Sequence, residues 1–276
     1  MENAEISKTT MQYKDTLFRT LFSEENRFLE LYNAVTGDHI PDGTAVTPFP
    51  SNSLLARFND LAACIGSQLV VFFEHQSSSS NNMPLRLLRY VTDVLYSQIV
   101  DLDKLYGSAQ VMIPTPMFFV VYNGEQKLEK KVVRLSDAFL VKESEPSLEL
   151  TAKVIDINYF SGESALDRSD SLKGYSYLIA EVRNHLRTGI SRDMSIVAAI
   201  NSCIKQDILK AFLEDNYEEV IKMLAYEYNA EAERRAISQE SWQGGIDLIV
   251  KLLREGLSIE EAYAKAIQSA PPDCSL

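Results

Sequence analysis

An apolar run that ends in a carboxylate constrains this chain more than any other stretch. Residues 69–73, Leu-Val-Val-Phe-Phe, lead into Glu74, His75 and Gln76, and a run of this length and composition predicts a strand. Side chains alternate between the faces of a strand, so Glu74 and Gln76 project the same way. Residues 57–65 read as a second strand, and Gly66-Ser67-Gln68 between the two predicts a three-residue hairpin loop. If Ile65 pairs with Leu69 across that loop, Asp60 falls opposite Glu74, with the side chains roughly 5 Å apart at their bases. Two carboxylates and an amide then share one sheet face. Like charges so placed destabilise a sheet and raise one another's pKa. A hard divalent cation is the commonest remedy, because Mg²⁺ takes carboxylate oxygens, waters and substrate phosphates. The other reading is a solvated strand end with no metal between the acids, and spacing alone leaves both open.

Composition narrows the classes. With 276 residues, 46% hydrophobic and 24% charged, the chain suits a soluble globular protein of one domain with a helical extension, or of two small domains. No apolar run approaches the roughly eighteen residues that cross a bilayer. The first residues, MENAEISKTTMQYK, carry no apolar h-region. A cytoplasmic protein with no membrane partner is therefore expected. Cys64, Cys203 and Cys274 stand far apart, which supports neither a disulfide framework nor a zinc site. There is no G-x-S-x-G and no Cys/His pairing at useful spacing, so nothing supports a serine or cysteine hydrolase.

The net charge of -12 argues against nucleic acid as a partner, since phosphate binding draws on a basic surface. The objection is local in reach. Acidic residues crowd the C-terminal part, among them Glu214, Asp215, Glu218 and Glu219, and charges further off than a Debye length of roughly 10 Å do not cancel a basic patch.

Helical spacing of Leu17, Phe18, Leu21, Phe22, Phe28, Leu29, Leu31 and Tyr32 predicts two helices broken near Ser23-Glu24, with Gly37 as a C-cap. Asp15 heads the first of them, where a carboxylate is favoured by the helix dipole. Residues 38–56 carry Pro41, Pro48 and Pro50 and predict a loop with a short edge strand at 45–49. After the polar loop 77–82, a helix from Pro84 to about Val100 is expected to bury Leu87, Leu88, Val91, Leu95 and Ile99. That leaves Arg86, Arg89 and Tyr90 on other faces. Arginine offers a fork that matches phosphate oxygens, so these three are candidates for phosphate and sugar contacts; a solvated helix face fits them equally. The apolar run 117–122 predicts a strand buried on both faces. Asn123-Gly124 then signals a turn, and 130–135 is expected to return as a strand. Residues 152–159 predict one more, with Asp156 in a capping or turn role. From Leu172 onward the pattern is helical: 174–186, 195–205, 206–213 and 217–226. At the C-terminus, 246–253 and 259–267 predict a helical hairpin in which Ser258 and Glu261 form a capping box.

The hairpin, with Glu-His-Gln-Ser at 74–77 followed by Asn-Met-Pro-Leu-Arg at 82–86, resembles the PD-(D/E)XK nuclease superfamily. More closely it is similar to the recombination-promoting nuclease and transposase (Rpn-type) family, in which glutamine replaces the usual motif lysine. KDTLFRTLFS (14–23), RFLELYNAVTG (27–37), MFFVVYNGE (117–125) and RLSDAF (134–139) look like the same family, over roughly residues 10–225.

The resemblance implies an α/β fold: a restriction-endonuclease-like mixed-sheet core (αβββαβ) with an appended C-terminal helical region. The corresponding division is 1–162 for the nuclease-like core, 163–228 for a helical layer packed on it, and 229–276 for a helical hairpin tail. It implies a metal-dependent DNA endonuclease. Asp60, Glu74 and the His75 backbone carbonyl would bind Mg²⁺ or Mn²⁺, Gln76 would orient the attacking water, and Arg86, Arg89 and Tyr90 would contact DNA. Asp15 is a further site candidate, because the first helix of related nucleases often carries an acid. The alternative is a catalytically silent nuclease-like module that binds DNA or protein, and the C-terminal helices could serve a homo-oligomer.

Overall fold

The computed structural model describes residues 17–49, 61–78, 80–97, 102–255, 257–258, 261–262 and 264–265, with backbone alone at 102 and 230–247. Contacts divide the chain into two units, Met1–Ile221 and Lys222–Leu276. The first is an α/β unit built on a mixed six-stranded sheet. Its strands are β1 (Val46–Pro48), β2 (Leu61–Ile65), β3 (Leu69–Gln76), β4 (Thr115–Tyr122), β5 (Val132–Arg134) and β6 (Thr151–Asp156), in the order β1-β2-β3-β4-β6-β5. The middle three, β3, β4 and β6, are parallel, and β1, β2 and β5 extend the sheet antiparallel on either side.

Parallel neighbours cannot be joined by a tight turn. The chain therefore leaves β3, forms α3 (Met83–Ser97) on one face, and re-enters beside β3 at Thr115. The opposite face is covered by α1 (Leu17–Phe22), α2 (Glu25–Thr36) and α4 (Asp170–Arg187). Register puts Phe72 beside Phe118 and Phe73 beside Phe119, and each pair stacks at 5.2 and 5.3 Å on its own face. Phe72 and Phe73 are fully buried, and each contributes roughly 1.5–3 kcal/mol by burial. Val70, Phe72, Val120, Tyr122 and Val154 pack with Met83, Leu87, Val91 and Val94 of α3. Across the sheet, Phe28 meets Phe73 and Tyr32 meets Phe119.

Local signals placed several boundaries. The two N-terminal helices break at Ser23-Glu24, and Gly37 closes α2 in the left-handed region (φ 78) with its N–H on the Asn33 carbonyl. Asp156 Oδ1 accepts from Asn158 N at 3.0 Å and Nδ2 at 2.8 Å, a turn that ends β6. Glu30 of α2 accepts from Ser169 Oγ, Ser171 N and Ser171 Oγ, while Ser169 Oγ accepts from Leu172 N. These bonds satisfy the N-terminal donors of α4.

Tertiary packing moved others. The strand expected to fold back on 117–122 pairs instead with β6 at the sheet edge, because both flanks of β4 are taken by β3 and β6. On α3 the inward stripe is Met83, Leu87, Tyr90, Val91 and Val94, rotated from the expected one. Leu88 and Leu95 are only partly buried, and Ile99 lies outside the described residues. The helix expected at 206–213 begins only at Lys210. Asp207 (φ 61) and Leu209 (φ 49) make a left-handed turn before α6 (Lys210–Asp215), and Gly174 admits it: a Cβ there would stand 2.8 Å from Leu209 Cγ. It follows α5 (Arg192–Lys205).

The helix α7 (Tyr217–Arg254), which begins in the first unit and runs on in the second, continues without a break past Gly244-Gly245, where two helices were expected. Glycine in a helix costs about 1 kcal/mol but does not forbid one. The capping box forms as read: Ser258 N and Oγ donate to Glu261 Oε2 at 3.0 and 3.2 Å, and Glu261 N donates to Ser258 Oγ at 3.3 Å. Among the described residues no helix is long and apolar enough to cross a membrane.

Gly124, buried in the turn after β4, has no room for a side chain. A Cβ would overlap the Tyr122 hydroxyl and the Ser77 carbonyl, and the second is backbone that cannot rotate away. Gly124→Ala is expected to lower unfolding free energy by about 1–3 kcal/mol, read as a reduced urea midpoint.

Candidate active site

The candidate residues gather where β3 ends, beside the first turns of α3. The predicted hairpin is present with Ile65 opposite Leu69 and Gly66-Ser67-Gln68 as its turn. Its last described pair is Leu61 with Phe73. Asp60, the next residue toward Glu74 in that register, lies outside the described residues, as does Asp15. Glu74 is 4% exposed on the α3 face. Gln76 follows on the same face, partly buried, and lines a recess with Ser80, Asn81, Met83 and Tyr122. Its backbone carbonyl accepts from Asn123 N at 2.8 Å, which ties the end of β3 to the turn after β4.

A carboxylate this deep requires a partner. Arg86, from the first turn of α3, donates through Nη2 to Glu74 Oε1 in an ion pair. The two ends differ in freedom, with side-chain exposure of 41% for Arg86 and 5% for Glu74. Arg86 Nε also lies 3.5 Å from the Tyr90 hydroxyl. Arg89 is exposed, and with Asn82, Leu85, Arg86 and Tyr90 it lines an open groove along α3. Tyr90 corrects the sequence expectation: at 3% exposure it belongs to the core, because position 90 falls on the stripe of Met83, Leu87 and Val94. Burial also pushes its phenol pKa up.

His75 points to the other face. Its ring stacks on Phe18 at 4.9 Å, meets the edge of Tyr175, and puts Nε2 3.0 Å from the Tyr175 hydroxyl. Burial, and then the nearby Arg183 charge, lower its pKa to about 4. Arg183 of α4 donates to Asn123 Oδ1 at 3.1 Å, to Asn158 Oδ1 at 3.0 Å and to the Asn123 carbonyl. Asn158 Nδ2 in turn donates to the Gly124 carbonyl at 2.9 Å. Arg183 thereby clamps the carboxyl ends of β4 and β6, the end of an open α/β sheet where ligands bind. Sequence reading singled out neither Tyr175 nor Arg183. Tyr175 is 100 residues from His75, and Arg183 is 60 from Asn123 and 25 from Asn158; both lie in an ordinary amphipathic helix, and no local pattern marks them.

Among the described residues no three His, Cys, Asp or Glu side chains form a metal cluster. The oxygen donors on the α3 face of β3 are the Glu74 carboxylate and the Gln76 amide. Both are hard oxygens, which suit Mg²⁺ or Mn²⁺, ions that need only one or two carboxylates beside waters and phosphate.

Comparison with known proteins gives one result at the family level. The model of a family described as "Putative transposase, YhgA-like" matches residues 65–234, more than half of the chain. The match begins at the last residue of β2 and includes Glu74, Gln76, Arg86 and Arg183. No curated protein and no solved structure matches.

The His75 environment makes stability depend on pH. An unfolded histidine titrates near 6.5 and the folded one near 4, so between these values only the unfolded chain takes up the proton. Stability from this group is complete above the upper value and is lost as pH falls toward the lower. Because the residue keeps some exposure, a loss on the order of 1–2 kcal/mol is expected between pH 7 and pH 5. Melting curves of wild type and His75→Gln check it: the variant should lose less over that interval.

Proposed function

Because the chain belongs to the YhgA-like transposase family, within the PD-(D/E)XK-like Rpn group, we propose that it is a metal-dependent DNA endonuclease with a restriction-endonuclease-like core. The observation that carries this reading is the buried Glu74 carboxylate on the same strand face as Gln76, with an arginine beside it. Glu74, Asp60 and the His75 carbonyl would hold Mg²⁺ or Mn²⁺. When bound, the metal supplies Lewis acidity at the phosphate and a water of lowered pKa.

The chain's own groups do the rest. Gln76 orients the attacking water, accepting at its amide oxygen and donating from its amide nitrogen. It brings no positive charge where a lysine would, and Arg86 and Arg89 compensate from α3 by meeting phosphate oxygens. Tyr90 contributes through its hydroxyl beside Arg86. Arg183 and Gly124 hold the turn that carries the backbone of Gln76. Asp15 would add a further acid from the N-terminal segment, and the C-terminal helices would serve self-association.

One observation favours a second reading, a silent nuclease-like module that binds DNA or protein. The only described carboxylate of the site is already paired with Arg86, and the chain carries a net charge of -12. Nicking of supercoiled plasmid separates the two. Asp60→Ala and Glu74→Ala are each expected to reduce Mg²⁺-dependent nicking by more than about a hundredfold, since even indirect supports of a metal ligand are worth 10–100-fold. Their circular dichroism should stay that of wild type. Full activity in either variant rejects the site, and no nicking by well-folded wild type with Mg²⁺ or Mn²⁺ favours the silent module.

A further inference from the structure

The ion pair at the mouth of the site has a consequence for the order in which its ligands bind. Glu74 is fixed in β3, inside the sheet and nearly inaccessible, while Arg86 stands on a helix with almost half of its side chain in water. If the pair opens, it is the arginine that moves. Beside it runs the open groove of Asn82, Leu85, Arg86, Arg89 and Tyr90, so a guanidinium leaving Glu74 remains within the same surface. Two arginines stand along that otherwise largely apolar groove, and a guanidinium fork engages two phosphate oxygens at once. A divalent cation and a guanidinium held against one carboxylate repel each other.

We propose that the Arg86–Glu74 pair is an exchange latch: a divalent cation arriving at Glu74 displaces Arg86, which then binds the nucleic-acid backbone in the groove. The inference rests on the functional reading above and adds an energetic link to it. Cation binding tightens DNA binding, and DNA tightens cation binding by the same factor, because coupling between two sites is reciprocal. Without cation, Glu74 holds Arg86 and the groove is a weak phosphate site. The latch keeps an acidic chain from binding DNA unless it is loaded to act on it.

The test measures binding alone. Fluorescence anisotropy follows a labelled DNA duplex at fixed salt, in EDTA and in Ca²⁺, and calorimetry follows Ca²⁺ alone, for wild type, Glu74→Gln, Arg86→Gln and the double variant. In EDTA, Glu74→Gln should tighten DNA binding about tenfold, within the usual range of coupling between sites. That gain should vanish in the Arg86→Gln background, a non-additivity that reports direct coupling. Arg86→Gln should also raise Ca²⁺ affinity in the absence of DNA, because a competing cation is gone. If Glu74→Gln tightens DNA equally in both backgrounds, the effect is relief of general repulsion and the latch is wrong. If wild type binds both Ca²⁺ and DNA and Arg86→Gln leaves Ca²⁺ affinity unchanged, the latch alone falls. Wild type that binds neither ligand overturns the functional reading and the latch together. Arg86→Lys, which keeps the charge and loses the fork, replaces Arg86→Gln in the cycle if that variant does not fold. It should retain competition with Ca²⁺ and lose DNA affinity.

Discussion

Everything in the first unit follows from three parallel strands, β3, β4 and β6, running side by side in register. Parallel pairing forces each connection to travel back the length of the sheet, which puts α3 on one face. Because the strands are apolar on both sides, α1, α2 and α4 must close the other. The stacked pairs Phe72–Phe118 and Phe73–Phe119, one on each face, show how a single register fills two cores. Register also decides the chemistry. Glu74, His75 and Gln76 are successive residues, yet Glu74 meets α3, Gln76 lines a recess on that same face, and His75 between them meets α1 and α4.

The end of β3 is therefore where the fold bears its electrostatic cost. A carboxylate is buried among Phe and Val neighbours, a position that is costly unless the charge is matched. Arg86 supplies the match from a helix that reaches Glu74 only because the crossover returns over that face. On the reverse side His75 is kept neutral between Phe18 and Tyr175. A fold selected for stability alone would fill position 74 with an aliphatic side chain. Holding an ion pair there instead is what motivates a functional reading of the site.

The acidic net charge bears on partners rather than on the fold. The described cations of the site, Arg86 and Arg89, stand on one exposed helix flank, with Arg183 behind the strand ends. The acidic excess is spread along the chain, and α6 and α7 carry acidic and basic residues together. Charges beyond a Debye length of roughly 10 Å do not cancel a local basic patch, so a phosphate partner of this site would be held by local geometry more than by long-range attraction.

Much of this molecule was legible in sequence because the signals are local. The apolar run 69–73 marked β3, and the alternation of side chains along a strand put Glu74 and Gln76 on one face. Loop length gave the Ile65–Leu69 register, Gly37 marked a helix end, and Ser258 with Glu261 marked a helix start. Each of these is decided by residues within a few positions of one another, where backbone sterics and short-range hydrogen bonds dominate. What sequence left open are choices made between distant segments. β5 took the edge beside β6 because β4 had no free flank, and Tyr90 turned inward because α3 rotates to match the sheet it covers. Arg86, for which sequence leaves a phosphate contact and a solvated helix face equally open, also pairs with Glu74, while Tyr175 reaches His75 100 positions away and Arg183 reaches Asn123 60 positions away. A side chain in a helix has the same local pattern whichever of these partners it meets. Only the packing of the sheet against its helices, a competition among surfaces far apart in the chain, selects one.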